Sequence, residues 1–180
     1  MNTERNWTGY WINTGRTMGT PTTATPAAPY LRTTFECESV PGKATVFLCG
    51  LGWHVLYING KKADDRVLAP VVTQYDKRVS WIEYDITSLV RPGKNAVAVL
   101  LGNGWYNCQT AEVWSFDKAP WRDLPKLLCD IEIDGVNVAK SDTSRQPHAT
   151  AVTFDALPYG ELSAPPPGIS GSRLPGSANW

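Results

Sequence analysis

Histidine is almost missing from this chain. Its 180 residues hold two, His54 and His148, far apart and without Cys or carboxylate neighbours at ligand spacing, which argues against a zinc centre. Cysteine is scarce and unpatterned: Cys37, Cys49, Cys108 and Cys129 form no C-x-x-C pair. Cys49 and Cys129 lie in apolar, strand-like runs, so buried free thiols are expected rather than disulfides or metal ligands. An excess of either charge is also lacking, because 17 Lys+Arg balance 17 Asp+Glu. That balance argues against a nucleic-acid backbone or an anionic membrane as partner. Long hydrophobic runs are absent: the longest, Ala96 to Leu101, falls far short of the roughly 18 residues of a membrane span. The opening residues, Met1 to Asn6, include Glu4 and lack the apolar core of a signal peptide, so the chain as given is expected in the cytoplasm. Without such a signal, the glycosylation sequon Asn6-Trp7-Thr8 carries little weight.

What is abundant is aromatic: 8 Trp and 7 Tyr. The length suits one domain, at about 100–200 residues each. Strand-like pattern runs through most of it. Tyr30 to Phe35 alternates, with Leu31, Thr33 and Phe35 on one face and Tyr30, Arg32 and Thr34 on the other. Ala44 to Cys49 leads into a Gly50-Leu51-Gly52 turn and the run Trp53 to Ile58, which closes on Asn59-Gly60, a hairpin signal because both positions of a type I′ turn need positive φ. Ser80 to Tyr84 reads as a further strand, and Asp85 is placed to cap a single helical turn that Pro92-Gly93 ends. Asn95 to Leu101 is the most apolar strand and a candidate for the centre of a sheet. Leu127, Cys129, Ile131 and Ile133 alternate inward before an Asp134-Gly135 turn. With no amphipathic helix of useful length, the pattern predicts an all-β fold, an antiparallel β-sandwich or jelly roll.

The ends differ in composition. Residues 1–29 read as an N-terminal strand and a Thr/Pro-rich loop leading into the domain, 30–162 as the β-sandwich, and 163–180 as a Pro/Gly/Ser-rich tail or truncated linker.

Chemistry is harder to place. Asp64-Asp65 are neighbours in a connecting loop and read as a solvated turn, while Glu83, Asp85 and Glu161 are scattered, so no carboxyl pair for glycoside hydrolysis is established. No G-x-S-x-G elbow occurs. Gly50-Leu51-Gly52 and Gly102-Asn103-Gly104 lack phosphate-loop spacing and a following helix. Asp64, Asp65 and Asp76 are possible calcium ligands but match no recognised spacing, so no cofactor is expected. One feature stands out: Gly102-Asn103-Gly104-Trp105-Tyr106-Asn107, followed by Trp114, Phe116, Trp121 and Arg122 across a long loop with weak regular pattern. The candidate contact residues are therefore Asn103, Trp105, Tyr106, Asn107, Trp114, Trp121 and Arg122. Aromatic faces stack on sugar C–H faces while Asn and Arg bond hydroxyls. The same rings also suit the end of a sandwich core, or packing against another domain.

Taken in order, Trp11-Ile12, Tyr30 to Phe35, Lys43 to Gly52, Leu56 to Lys61, Asp65 to Pro70, Tyr84 to Thr87 and Leu101 to Tyr106 resemble the N-terminal accessory domain of bacterial α-L-rhamnosidases. The resemblance covers about residues 7 to 140, and the loop Ala111 to Arg122 looks like a subgroup feature. It implies a jelly-roll sandwich related to galactose-binding-like modules, and a parent enzyme that releases terminal α-L-rhamnose from plant glycosides or polysaccharides with inversion. In that family the catalytic carboxylates lie on an (α/α)₆ barrel far downstream, for which this chain has neither the length nor the helices. No catalytic residue carries over. The expected role is structural support for the missing barrel, or alternatively a stand-alone module binding rhamnose-containing glycans. The expected partners are thus the catalytic domain or such a glycan, with no nucleic acid and no membrane. Ser144-Arg145-Gln146 and Leu162 to Pro165, after Gly160-Glu161, depart from the family pattern, which reads as a truncated or decayed fragment.

Overall fold

Alternation decides the strands. The computed structural model describes residues 5–13, 28, 30–109, 111 and 114–142, with the backbone alone at 155–157. The loop expected over Thr20 to Pro29 (apart from Ala28), the C-terminal tail, His148 and the departures at 144–146 and 160–165 lie outside the described residues. Among the described residues nine strands follow in order: β1 (Tyr30–Cys37), β2 (Ala44–Leu51), β3 (Trp53–Ile58), β4 (Lys61–Lys62), β5 (Ile82–Asp85), β6 (Gly93–Gly102), β7 (Lys126–Ile133), β8 (Val136–Lys140) and β9 (Asp155–Leu157). The helical content among the described residues is two 3-10 turns, Thr87–Leu89 and Phe116–Lys118. No helix there is long and apolar enough to cross a membrane.

The strands form two antiparallel sheets, β4-β3-β6-β1-β9 and β5-β2-β7-β8, and pack as the predicted β-sandwich. Inward residues of both sheets make one core, with Leu31, Val97, Val99, Leu101, Leu56 and Ile58 facing Val46, Leu48, Leu127, Cys129 and Ile131. Each such aliphatic side chain stabilises the fold by about 1.5–3 kcal/mol through the surface it removes from water. The apolar strand β6 is central to its sheet, between β3 and β1. Both predicted hairpin turns form, with positive φ at Asn59 and Gly60 (50° and 80°) and at Asp134 and Gly135 (50° and 81°). The Gly50-Leu51-Gly52 turn is narrower than expected. Strand β2 continues through Leu51, and Gly52 alone bends, at φ 100°, sending the chain into the opposite sheet rather than into a hairpin. Its missing side chain is required there, since a Cβ would stand 2.2 Å from the Gly102 carbonyl oxygen. Asp85 steadies the helical turn from just outside it: its Oδ1 accepts from Thr87 N at 2.9 Å and Thr87 Oγ1 at 2.7 Å. These bonds hold its carboxyl below the usual range. All four cysteines are buried, and Cys37, Cys49 and Cys129 are free thiols.

Residues 5–13 lie across the β5-β2-β7-β8 sheet as a strap. Asp130 of β7, fully buried on the outer face, accepts from Thr8 N, Thr8 Oγ1 and Gly9 N at 3.0, 2.9 and 2.9 Å. Arg5 pairs with both Asp130 and Glu132 and stands 3.4 Å over the Phe47 ring. Further along, Ile12 exchanges backbone bonds with Leu127 at 2.9 and 2.8 Å and enters the core.

Candidate functional site at one end of the sandwich

Two long connections meet at this end: residues 63–81 between β4 and β5, and 103–125 between β6 and β7. The second begins where Gly104 brings its backbone close to Gly52 in the left-handed region (φ 52°), a fit in which a Cβ would lie a tight 3.3 Å from Gly52 Cα and Trp53 N. The turn closes with Asn107 N donating to Asn103 O at 3.1 Å, and Asn107 Nδ2 donating to Asn103 Oδ1 at 3.1 Å.

Beyond that turn the rings gather. Trp105 meets Trp114 and Phe116 edge-on, each at 5.6 Å between centroids. Phe116 touches Trp121 at 5.6 Å, and Trp121 stacks on Tyr106 at 6.2 Å with 16° between planes. Tyr75, from the other connection, closes the group at 5.2 Å from Tyr106 and 5.0 Å from Trp121. Edge and offset contacts of this kind each contribute about 0.5–1.5 kcal/mol beyond the area buried. Burial pushes the Tyr75 and Tyr106 hydroxyls above their ordinary pKa, so both remain neutral at physiological pH. A salt bridge of 2.7 Å between Lys126 and Asp123 anchors the end of the loop.

The seven residues singled out from sequence thus divide. Trp105, Tyr106 and Trp121 pack among themselves with Phe116 and Tyr75, while Trp114 keeps 64% of its surface in solvent. The Asn107 amide donates to Asn103 Oδ1, and Arg122 Nε donates to Cys108 O at 2.8 Å. Arg122 Nη2 and Asn107 Oδ1 are buried without a hydrogen-bond partner. Among the described residues no group of three His, Cys, Asp or Glu side chains gathers to hold a metal ion. Asp64 pairs with Arg66 at 3.1 Å.

A profile of the family described as "Alpha-L-rhamnosidase N-terminal domain" matches residues 40–162. The chain belongs to that family. A curated α-L-rhamnosidase of Formosa agariphila is 38% identical to this rhamnosidase domain over 98 residues, which is 54% of the chain and 10% of the relative. The solved α-L-rhamnosidase of Dictyoglumus thermophilum superposes with a TM-score of 0.59 at 28% identity, covering 86% of this chain and 16% of that one. The Streptomyces avermitilis enzyme, solved with L-rhamnose, gives 0.53 at 35% identity, over 62% and 11% of the two chains. The chain therefore spans about a tenth of its curated relative.

Sequence reading missed Tyr75 and most of its connection. Their signal was a nine-residue uncharged run, Val67 to Tyr75, far along the chain from the aromatic loop and brought beside it only by the fold. Val67, Leu68, Val71 and Val72 are 75%, 64%, 71% and 46% exposed, so this end of the rhamnosidase domain shows solvent an apolar surface.

Proposed function

We propose that this domain is a non-catalytic support for an α-L-rhamnosidase, its aromatic end packing against the catalytic region of such an enzyme, which would hydrolyse terminal α-L-rhamnose with inversion. One observation carries the reading: Asn107 is buried and bonded to Asn103, and Arg122 is bonded to the Cys108 carbonyl, whereas valines, a leucine and Trp114 face solvent. Exposed apolar side chains gathered at one end of a domain suit contact with another surface, and with few polar groups offered beside them that surface is a protein's. A second reading, a module holding rhamnose-containing glycans, is favoured by the open face of Trp114 and by the relative solved with L-rhamnose.

Titration calorimetry separates the two. The 180-residue chain is expected to bind the folded catalytic region of the Dictyoglumus thermophilum enzyme, and Trp114→Ser to weaken that binding at least tenfold. L-rhamnose and a rhamnose oligosaccharide, with and without calcium, are expected to give no saturable heat. Saturable heat that Trp114→Ser removes would establish the glycan module instead.

A further inference from the structure

We infer that the cleft between the two long connections is a socket for one bulky apolar side chain projecting from the rhamnosidase polypeptide beyond this domain. The inference rests on the support role proposed above and gives it a point of attachment. The cleft has a volume of about 300 Å³ and is lined by Val72, Thr73, Gln74, Tyr75, Phe116 and Trp121. That is the small end of ligand-sized cavities. Its wall from the β4–β5 connection carries no charge from Val67 to Tyr75, which fits an uncharged, apolar occupant. Thr73 Oγ1 is already committed to Arg78 O at 2.7 Å, so the cleft offers a sugar few free polar groups.

The two connections that form the cleft also hold non-glycine residues in the left-handed region outside its lining, Leu68 and Ser115, each at φ 54°. Such backbone persists where the surrounding structure imposes it, and it concentrates at functional contacts. Here it accompanies the outward presentation of Leu68 and, beside Ser115, of Trp114. A pocket lined by Tyr75, Phe116 and Trp121 with the half-exposed Val72 at its edge has the form of an interface anchor point. The occupant follows from proportion. This domain corresponds to 10% of the Formosa enzyme and 16% of the Dictyoglumus chain, so most of such an enzyme lies outside the domain and is the polypeptide these surfaces would meet.

The test uses the 180-residue chain and the catalytic region of the Dictyoglumus thermophilum enzyme, shown folded by circular dichroism. Val72→Trp fills the socket from its edge, and Leu68→Ser removes an exposed apolar side chain from the same connection without touching the core. Calorimetry should show Val72→Trp binding at least tenfold more weakly than the unaltered chain, and Leu68→Ser several-fold more weakly. If both variants bind normally while Trp114→Ser does not, the socket is overturned and the support role stands. If the unaltered chain does not bind, both fall. L-rhamnose heat abolished by Val72→Trp, or a dimer of this chain abolished by it in sedimentation, would assign the cleft to a sugar or to a second copy and overturn the inference.

Discussion

His54 shows how one residue can be legible in sequence and still be misjudged in importance. It sits in β3 with even-numbered neighbours that face the core, 3% exposed, and its Nε2 shares a 2.9 Å hydrogen bond with the Tyr84 hydroxyl. Burial, reinforced by the positive charge of Arg66, lowers its pKa from 6.5 to about 4. The unfolded chain therefore binds a proton that the folded chain refuses between those values, so stability is complete above pH 6.5 and declines as pH falls towards 4. The loss at one site approaches about 3 kcal/mol, at 1.36 kcal/mol per unit. Urea denaturation at pH 7 and pH 4 should show the drop, and the His54 ring resonances should titrate near 4. A ring that titrates near 6.5 would refute the assignment.

At the scale of elements, the strap of residues 5–13 is the feature that a strand-by-strand reading underrates. Its Trp11-Ile12 carries part of the family resemblance, yet nothing local says where it docks. The docking is set by Asp130, Ser141 and Leu127, more than a hundred residues away. Gly9 fits tightly against the sheet: a Cβ there would lie 2.7 Å from Cys129 O and 2.8 Å from Ser141 Oγ. Gly9→Ala must push the strap off the sheet or displace the β7 backbone, at a cost of about 1–3 kcal/mol by analogy with overpacked cores. The urea midpoint should fall with little change in slope, and the amides of Thr8, Gly9 and Tyr10 should exchange faster than those of β6. Unchanged exchange at these amides would show that the strap does not depend on Gly9. Strands β1, β3 and β7 were legible because two-residue periodicity and Asn-Gly or Asp-Gly turns act locally, and β6 because its apolar run is continuous. The switch of sheets at Gly52 was not, because it depends on the backbone of Gly102 pressing from another strand.

At the scale of the whole molecule, the paired carboxylates on the outer face of the β5-β2-β7-β8 sheet serve the fold. Asp130 and Glu132 share Arg5, and Asp130 is fully buried, which is unlike two carboxyls facing across an open cleft. The purified chain is expected to release no L-rhamnose from an aryl rhamnoside at any pH between 4 and 8. Turnover above the buffer rate, retained after repeated purification, would give the domain a catalytic site of its own.

The sequence by itself determined the strands, their inward faces, the hairpin turns, the buried free thiols and the family, because each is written in residues close together or in an ordered series of motifs. It also marked the aromatic loop. Only the tertiary structure decided what that loop becomes. By folding residues 63–81 against 103–125 it added Tyr75, turned Asn103, Asn107 and Arg122 towards internal partners, and left aliphatic side chains facing water. The physical reason is that side-chain direction along a strand follows from local periodicity, whereas the pairing of two loops depends on contacts between residues some thirty to fifty positions apart.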